Sequence, residues 1–345
     1  MNHWQQQLLQ ELQQRGVLSD NQMKQLTSGA PIPWYMALLT ALAAWLAAML
    51  MVGAVLLLFD RTENAALAVC GILSVGLSLW LFRRRGLFAS QLSLASSLIG
   101  QALLVFAAMA AAGWSADSWR VGTLTAGCLA AVLLLAHSTA IHRMMCALLV
   151  MVSGALLSVS EPWLGLYSIA LATTAVSLWL LRSLWLTSDI AGMLRALAGA
   201  ATLVALVLVL VVPGSGLNFC VNAKTQPWAW IYTVGAAVLL LATCAWLVRG
   251  ARLILIFGSL AALLLAIVLF IHTPGFLVGA ALWLAVFYAG DKFWTGVVGI
   301  AVTGYLGCLY WNLQLPLLDK SLVLLASGLG LLWLRWLMLK RVTTL

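Results

Sequence analysis

From residue 34 onward the chain is a succession of long apolar runs separated by short polar breaks. Twelve runs stand out, over approximately 34–59, 65–82, 88–113, 121–137, 144–160, 164–181, 196–212, 231–248, 253–271, 275–290, 293–311 and 320–339. A helix needs about 20 apolar residues to cross roughly 30 Å of hydrocarbon. Most of these runs meet that length, and none shows the ten-residue alternation of a barrel strand. The pattern predicts an all-α, polytopic transmembrane helix bundle of 12 spans. The runs at 144–160 and 275–290 are short, and losing either would invert every later crossing.

The first 33 residues break this pattern. Trp4, Leu8 and Leu12 recur at helical spacing before Gly16, and a second short helix opens on the capping box Ser19…Gln22, with Met23 and Leu26 on one face. This predicts a cytoplasmic helical hairpin over 1–33, too small to hold its own core, followed by a transmembrane helical domain over 34–345. The polar start predicts no cleavable leader, so the first span serves as the membrane signal.

Composition agrees: 64% of residues are hydrophobic and 8% charged, far from the roughly 25% charged of soluble domains. The net charge of +9 does not point to nucleic acid, because the basic residues are dispersed at run ends and form no stripe. They report orientation instead. With both termini cytoplasmic, 14 of the 18 Lys and Arg lie inside, all but Arg61, Arg120, Lys224 and Lys320, as the positive-inside rule requires. "WLFR" at 80, "WLLR" at 179, "WLVR" at 246 and "WLR" at 333 fit headgroup-level tryptophans with a snorkelling arginine beyond.

Every acidic residue falls in a break or at a run end, so a proton or sodium relay has almost nothing to work with at lipid depth. His137 and His142 stand five apart, whereas ligands on one helix face want three or four, and no cysteine or carboxylate completes a set; no metal and no cofactor is expected. The six cysteines lie mostly inside apolar runs without a C-x-x-C pair and read as packing residues. Hydrolase, metalloprotease and P-loop motifs are absent, and the expectation is that the chain is not an enzyme.

Two patterns remain as candidates for cavity lining or helix packing. Ser93, Ser97 and Gln101 recur every four residues and share one helix face. Gly299, Thr303 and Gly307 do the same, with Gly296 and Gly304 beside them, a small-residue face on which another backbone can approach closely.

The ending "FYAGDKFWTGVVGIAVTGYLGCLYWNLQLPLLDKSLVLLASGLGLLWLRW" resembles the C-terminal half of the bacterial membrane family DUF4401, where an L-L-x-K-S segment leads into a final helix ending in L-x-x-R. The N-terminal "LLQELQQRGVLSDNQMKQL" is similar to the hairpin that opens the related DUF2157 type. The resemblance implies a multi-pass protein of the bacterial inner (cytoplasmic) membrane. It further implies a companion membrane protein with a periplasmic GDYxxLxY-type domain, and it supplies no catalytic or ligand residues. The expected function is a non-catalytic component that assembles with such a partner. The competing reading is a transporter or flippase for a weakly charged or lipid-like substrate, to which the six-plus-six layout and the Ser93–Gln101 stripe point.

Overall fold

The computed structural model describes residues 11, 34–58, 64–84, 86–115, 117–136, 139–159, 163–212, 229–249, 273–312 and 325. Within them the chain forms α1 (Trp34–Leu58), α2 (Asn64–Phe82), α3 (Leu87–Ala111), α4 (Ser118–Leu135), α5 (Ala140–Leu157), α6 (Trp163–Leu180), the single turn α7 (Arg182–Trp185), α8 (Ala191–Val211), α9 (Ala229–Leu247), α10 (Pro274–Ala289) and α11 (Lys292–Asn312). No strand occurs among the described residues. Ten of the predicted spans coincide with helices. The span predicted over 253–271 lies outside the described residues, as do His137 and the linker 213–228; of the span over 320–339 only Leu325 is described, and of the N-terminal hairpin only Glu11.

Seven of these helices are long and apolar enough to cross a membrane: α2, α3, α4, α5, α6, α8 and α9. Their side-chain distribution identifies the surrounding solvent. On α2, Ile72 and Leu73 are 61% and 66% exposed while Gly71, Ser74 and Ser78 are buried. Leu135 on α4, Val207 on α8 and Ile300 on α11 also point outward. Large apolar residues outside and small or hydroxylated ones inside is the reverse of a water-soluble arrangement, and it is the arrangement a bilayer favours.

The chain divides into two compact units, Met1–His142 and Arg143–Leu345, with the boundary inside the first turn of α5. In the first unit α3 is central, packing against α1, α2 and α4. Its approach to α2 is close because two glycines face each other there. A Cβ on Gly100 would stand 2.8 Å from the Gly71 carbonyl oxygen and 2.9 Å from the Val75 amide nitrogen. Leu67, Leu103 and Ala107 extend the same seam as an apolar cluster.

In the second unit α10 packs against α6, α8, α9 and α11, and α6 also meets α8 and α9. The α8 contacts run over alanines, with Ala198, Ala200, Ala201 and Ala205 fully buried. Helix α10 is only 16 residues long, and local chemistry sets both ends. Pro274 occupies its first turn, where a missing N–H costs nothing. Gly290 ends it at φ 72°, ψ 19°, the left-handed cap that glycine adopts without strain. The next residue is Asp291.

The glycine seam makes a contrast testable. Gly100→Ala is expected to lower the apparent thermal stability of the detergent-solubilised chain, by about 1–3 kcal/mol, because two backbone atoms must yield as well as the Val75 side chain. Gly76→Ala on α2, where a Cβ meets nothing within 4 Å, is expected to be neutral or to stabilise by up to about 1 kcal/mol. Thermal unfolding of the two variants side by side checks both.

Candidate functional site

Of the places where the described residues carry polar groups into the helix packing, two are clusters of several side chains, one in each unit. The first is built on α3, where Ser93, Ser97 and Gln101 are 0%, 1% and 4% exposed. Their spacing of four puts all three on the enclosed face, as the sequence pattern predicts. That spacing does not reveal the histidine they meet. Ser97 Oγ lies 2.7 Å from His142 Nε2, and Gln101 Nε2 donates to Ser97 Oγ at 3.3 Å.

His142 is fully buried and is oriented from two sides. Thr139 precedes α5 and its Oγ1 accepts the His142 amide at 3.4 Å, an N-cap geometry that fixes the first turn. The edge of the Phe82 ring stands against the imidazole, centroids 5.0 Å apart at 68°. On the α2 side, Ser78 Oγ donates to the Ser93 carbonyl at 2.8 Å. Two atoms of the cluster, Ser93 Oγ and Gln101 Oε1, are buried without a hydrogen-bond partner among the described residues. The arrangement is neutral, directional and able to pass a hydrogen bond along α3.

The second place is an ion cluster. The Asp291 side chain is 6% exposed; its Oδ2 lies 3.1 Å from Arg195 Nη2 on α8 and 3.6 Å from Arg182 Nη1 on α7. Oδ1 accepts the Trp294 amide at 3.4 Å, which caps α11 and complements its positive end. Arg182 also donates to the Ala289 carbonyl at 2.8 Å, satisfying the end of α10. One carboxylate thus joins the ends of α10 and α11 to α7 and α8. Charges that read in the sequence as separate boundary markers form one node.

Two tryptophans, Trp179 and Trp294, back this node, and Trp179, read from the sequence as a headgroup-level residue, is enclosed by the helix packing. Trp179 is 0% exposed and its Nε1 donates to Thr202 Oγ1 at 2.9 Å. Trp294 is buried against Gly199, leaving no room for a Cβ there. Trp185 is buried as well. The Trp–Arg recurrence has a direct contact behind it at two of the described sites, Arg249 4.3 Å from the Trp246 ring centroid and Arg182 5.9 Å from that of Trp179, while at Trp80 the stacking cation is Arg84, one residue beyond the motif, at 4.6 Å.

The small-residue face of α11 plays no part in either cluster. Its packing on α10 uses Val302 and Tyr305 against Gly279, while Tyr305 Oη donates to the Leu206 carbonyl of α8 at 2.6 Å. Among the described residues a Cβ at Gly299 would meet only Trp283 Nε1, at 3.7 Å, and Cβ atoms at Gly296, Gly304 and Gly307 would meet nothing within 4 Å. Thr303 is exposed and bonds its own Gly299 carbonyl at 2.8 Å. Among the described residues no group of three or more His, Cys, Asp or Glu is placed to hold a metal ion.

The Asp291 node predicts a graded mutational response. Asp291→Ala leaves two guanidinium groups facing each other and is expected to cost about 3–5 kcal/mol, as for breaking a buried pair. Arg195→Gln, at a side chain 60% exposed, is expected to cost no more than about 1 kcal/mol. Arg182→Gln, 21% exposed and also serving Ala289, falls between them. Thermal unfolding of the three variants reads the order directly.

Comparison with known proteins adds one finding. The family described as "Domain of unknown function (DUF4401)" matches residues 33–341. No curated protein and no solved structure matches the chain. A match over nearly the whole chain, on a bundle of apolar helices with hydrocarbon-facing surfaces, makes this protein a member of the DUF4401 family.

Proposed function

We propose that the chain is a non-catalytic component of the bacterial cytoplasmic membrane that crosses it twelve times with both termini in the cytoplasm. It works by assembling with a companion membrane protein, and the small-residue face of α11 is where that partner's transmembrane helix seats. The observation that carries this reading is the row Gly296, Gly304 and Gly307 with Thr303. Among the described residues nothing stands within 4 Å of each glycine's missing Cβ, and its one hydroxyl is already satisfied within the helix. In lipid, where burying leucine gains nothing, close backbone approach over such a row is what drives helix association. The partner's chemistry follows: an apolar helix with a shallow face, on a protein carrying a periplasmic domain of the GDYxxLxY type.

Co-purification in mild detergent with crosslinking tests the assembly. Gly304→Ile with Gly307→Ile is expected to release the partner while leaving the thermal stability of the isolated chain nearly unchanged. A fall in that stability with the partner still bound would assign the face to the chain's own helices and overturn the reading.

Orientation is checked separately in a cysteine-free background. Ser188→Cys is expected to be shielded from a membrane-impermeant thiol reagent in intact spheroplasts, and Ser115→Cys and Ser215→Cys to be labelled. The opposite labelling of any of them would break the twelve-crossing scheme.

A further inference from the structure

Hydroxyls in these helices ordinarily bond the carbonyl four residues back, as Thr123, Thr173, Thr202 and Thr243 do. Ser97 lacks that outlet. The Ser93 carbonyl takes the Ser97 amide in the helical ladder and the Ser78 hydroxyl at 2.8 Å, which fills both of its lone pairs. Gln101 Nε2 donates into one lone pair of Ser97 Oγ. The remaining acceptor for the Ser97 proton is His142 Nε2, 2.7 Å away. In this arrangement the imidazole accepts at Nε2 and is neutral.

We propose that Ser97, Gln101 and His142 form a proton-binding site inside the first unit, with His142 Nε2 as the atom that takes the proton. Once Nε2 carries hydrogen it becomes a donor to Ser97 Oγ, and the serine proton needs a new acceptor. Gln101 Oε1 supplies it: the atom is buried and has no partner among the described residues. A half-turn of the amide brings Oε1 to the place Nε2 held. Before protonation the chain of bonds runs from amide N–H to serine to ring; afterwards it runs from ring N–H to serine to amide oxygen. Each state makes two hydrogen bonds and leaves one end of the amide unmatched. One N–H bond forms on the ring, which gains the positive charge, and no other covalent bond changes.

The helices that meet the ring at Phe82 and Ser97 bring no formal charge of their own. Phe82 of α2 and Ser97 of α3 face the ring, and neither α2 nor α3 contains Asp, Glu, Lys or Arg. Arg83 and Arg84 follow α2 and are exposed. On α5 itself Arg143 is adjacent, Cys146 stands one turn on, and the helix carries no carboxylate. The serine and amide dipoles act on the charged state, and Gln101 tunes the ring through Ser97. This site is independent of the assembly reading.

The test is a pH titration of the full chain, labelled at histidine and reconstituted in lipid nanodiscs, with the imidazole nitrogen shifts read by magnetic resonance from about pH 5 to about pH 8. His142→Asn assigns the signal. The expected result is a ring that passes from Nε2 acceptor to Nε2 donor in that range. Gln101→Leu is expected to weaken proton affinity about tenfold, the size of one hydrogen bond to a charged group, and Gln101→Glu to strengthen it. Ser93→Ala, whose Oγ bonds neither partner, is the control expected to leave the midpoint in place. A His142 signal that keeps one form throughout overturns the proposal. So does a midpoint shared by wild type and both Gln101 variants, or a Ser93→Ala shift as large as that of Gln101→Leu.

Discussion

The constraint on which the rest of this structure depends is that its outer solvent is hydrocarbon. A leucine gains nothing by leaving lipid for a protein interior, so Ile72 and Leu73 face out and the interior of α2 is given to Gly71, Ser74 and Ser78. Cohesion then comes from close approach and from hydroxyl-to-carbonyl bonds. Gly71 and Gly100 bring α2 and α3 together, and Ser78 reaches across to the Ser93 carbonyl. The alanine surface of α8 is the same solution in the second unit.

That solvent also makes every polar group a liability that must be met inside the protein. Most hydroxyls meet it alone, bonding back along their own helix. Among the groups that do not, two clusters differ in character. Around Asp291 the charges are formal, and they stand at helix termini, where backbone amides and carbonyls share the load: the Trp294 amide on the carboxylate, the Ala289 carbonyl on Arg182. Around Ser97 the groups are neutral and lie along the body of α3, where an ion would be far more costly. The described part of the chain keeps charge at its ends and dipoles within.

Tryptophan shows how one residue type serves both regimes. Trp80 and Trp246 sit partly exposed where a guanidinium can cover the ring, while Trp179 and Trp294 fill the interior beside the ion node, Trp179 with Arg182 5.9 Å from its ring centroid and its indole N–H held by Thr202. Local sequence is nearly the same in the two cases: "WLFR" and "WLLR" differ at one position. What separates them is the neighbouring helix, since α8 presents Thr202 and Gly199 where those two indoles need a hydroxyl and a gap.

The sequence by itself determined the helical class, the bounds of ten helices to within about five residues and the placing of the described acidic residues outside their bodies. Those properties follow from one helix and one slab of hydrocarbon, and a run of apolar residues encodes both. It also placed Ser93, Ser97 and Gln101 on one face, because four residues is close to one turn. Only the tertiary structure decided that this face meets His142, 45 positions from Ser97, and that Asp291 joins Arg182 and Arg195 from 109 and 96 positions away. The row of glycines on α11 was equally plain in the sequence, but that its described packing on α10 runs through Val302 and Tyr305 was not. Hydrocarbon rewards every apolar face alike, so the periodicity of a span marks its depth and length and leaves its neighbours unspecified. The partners are chosen by where small residues permit approach and where a few dipoles can be matched in three dimensions.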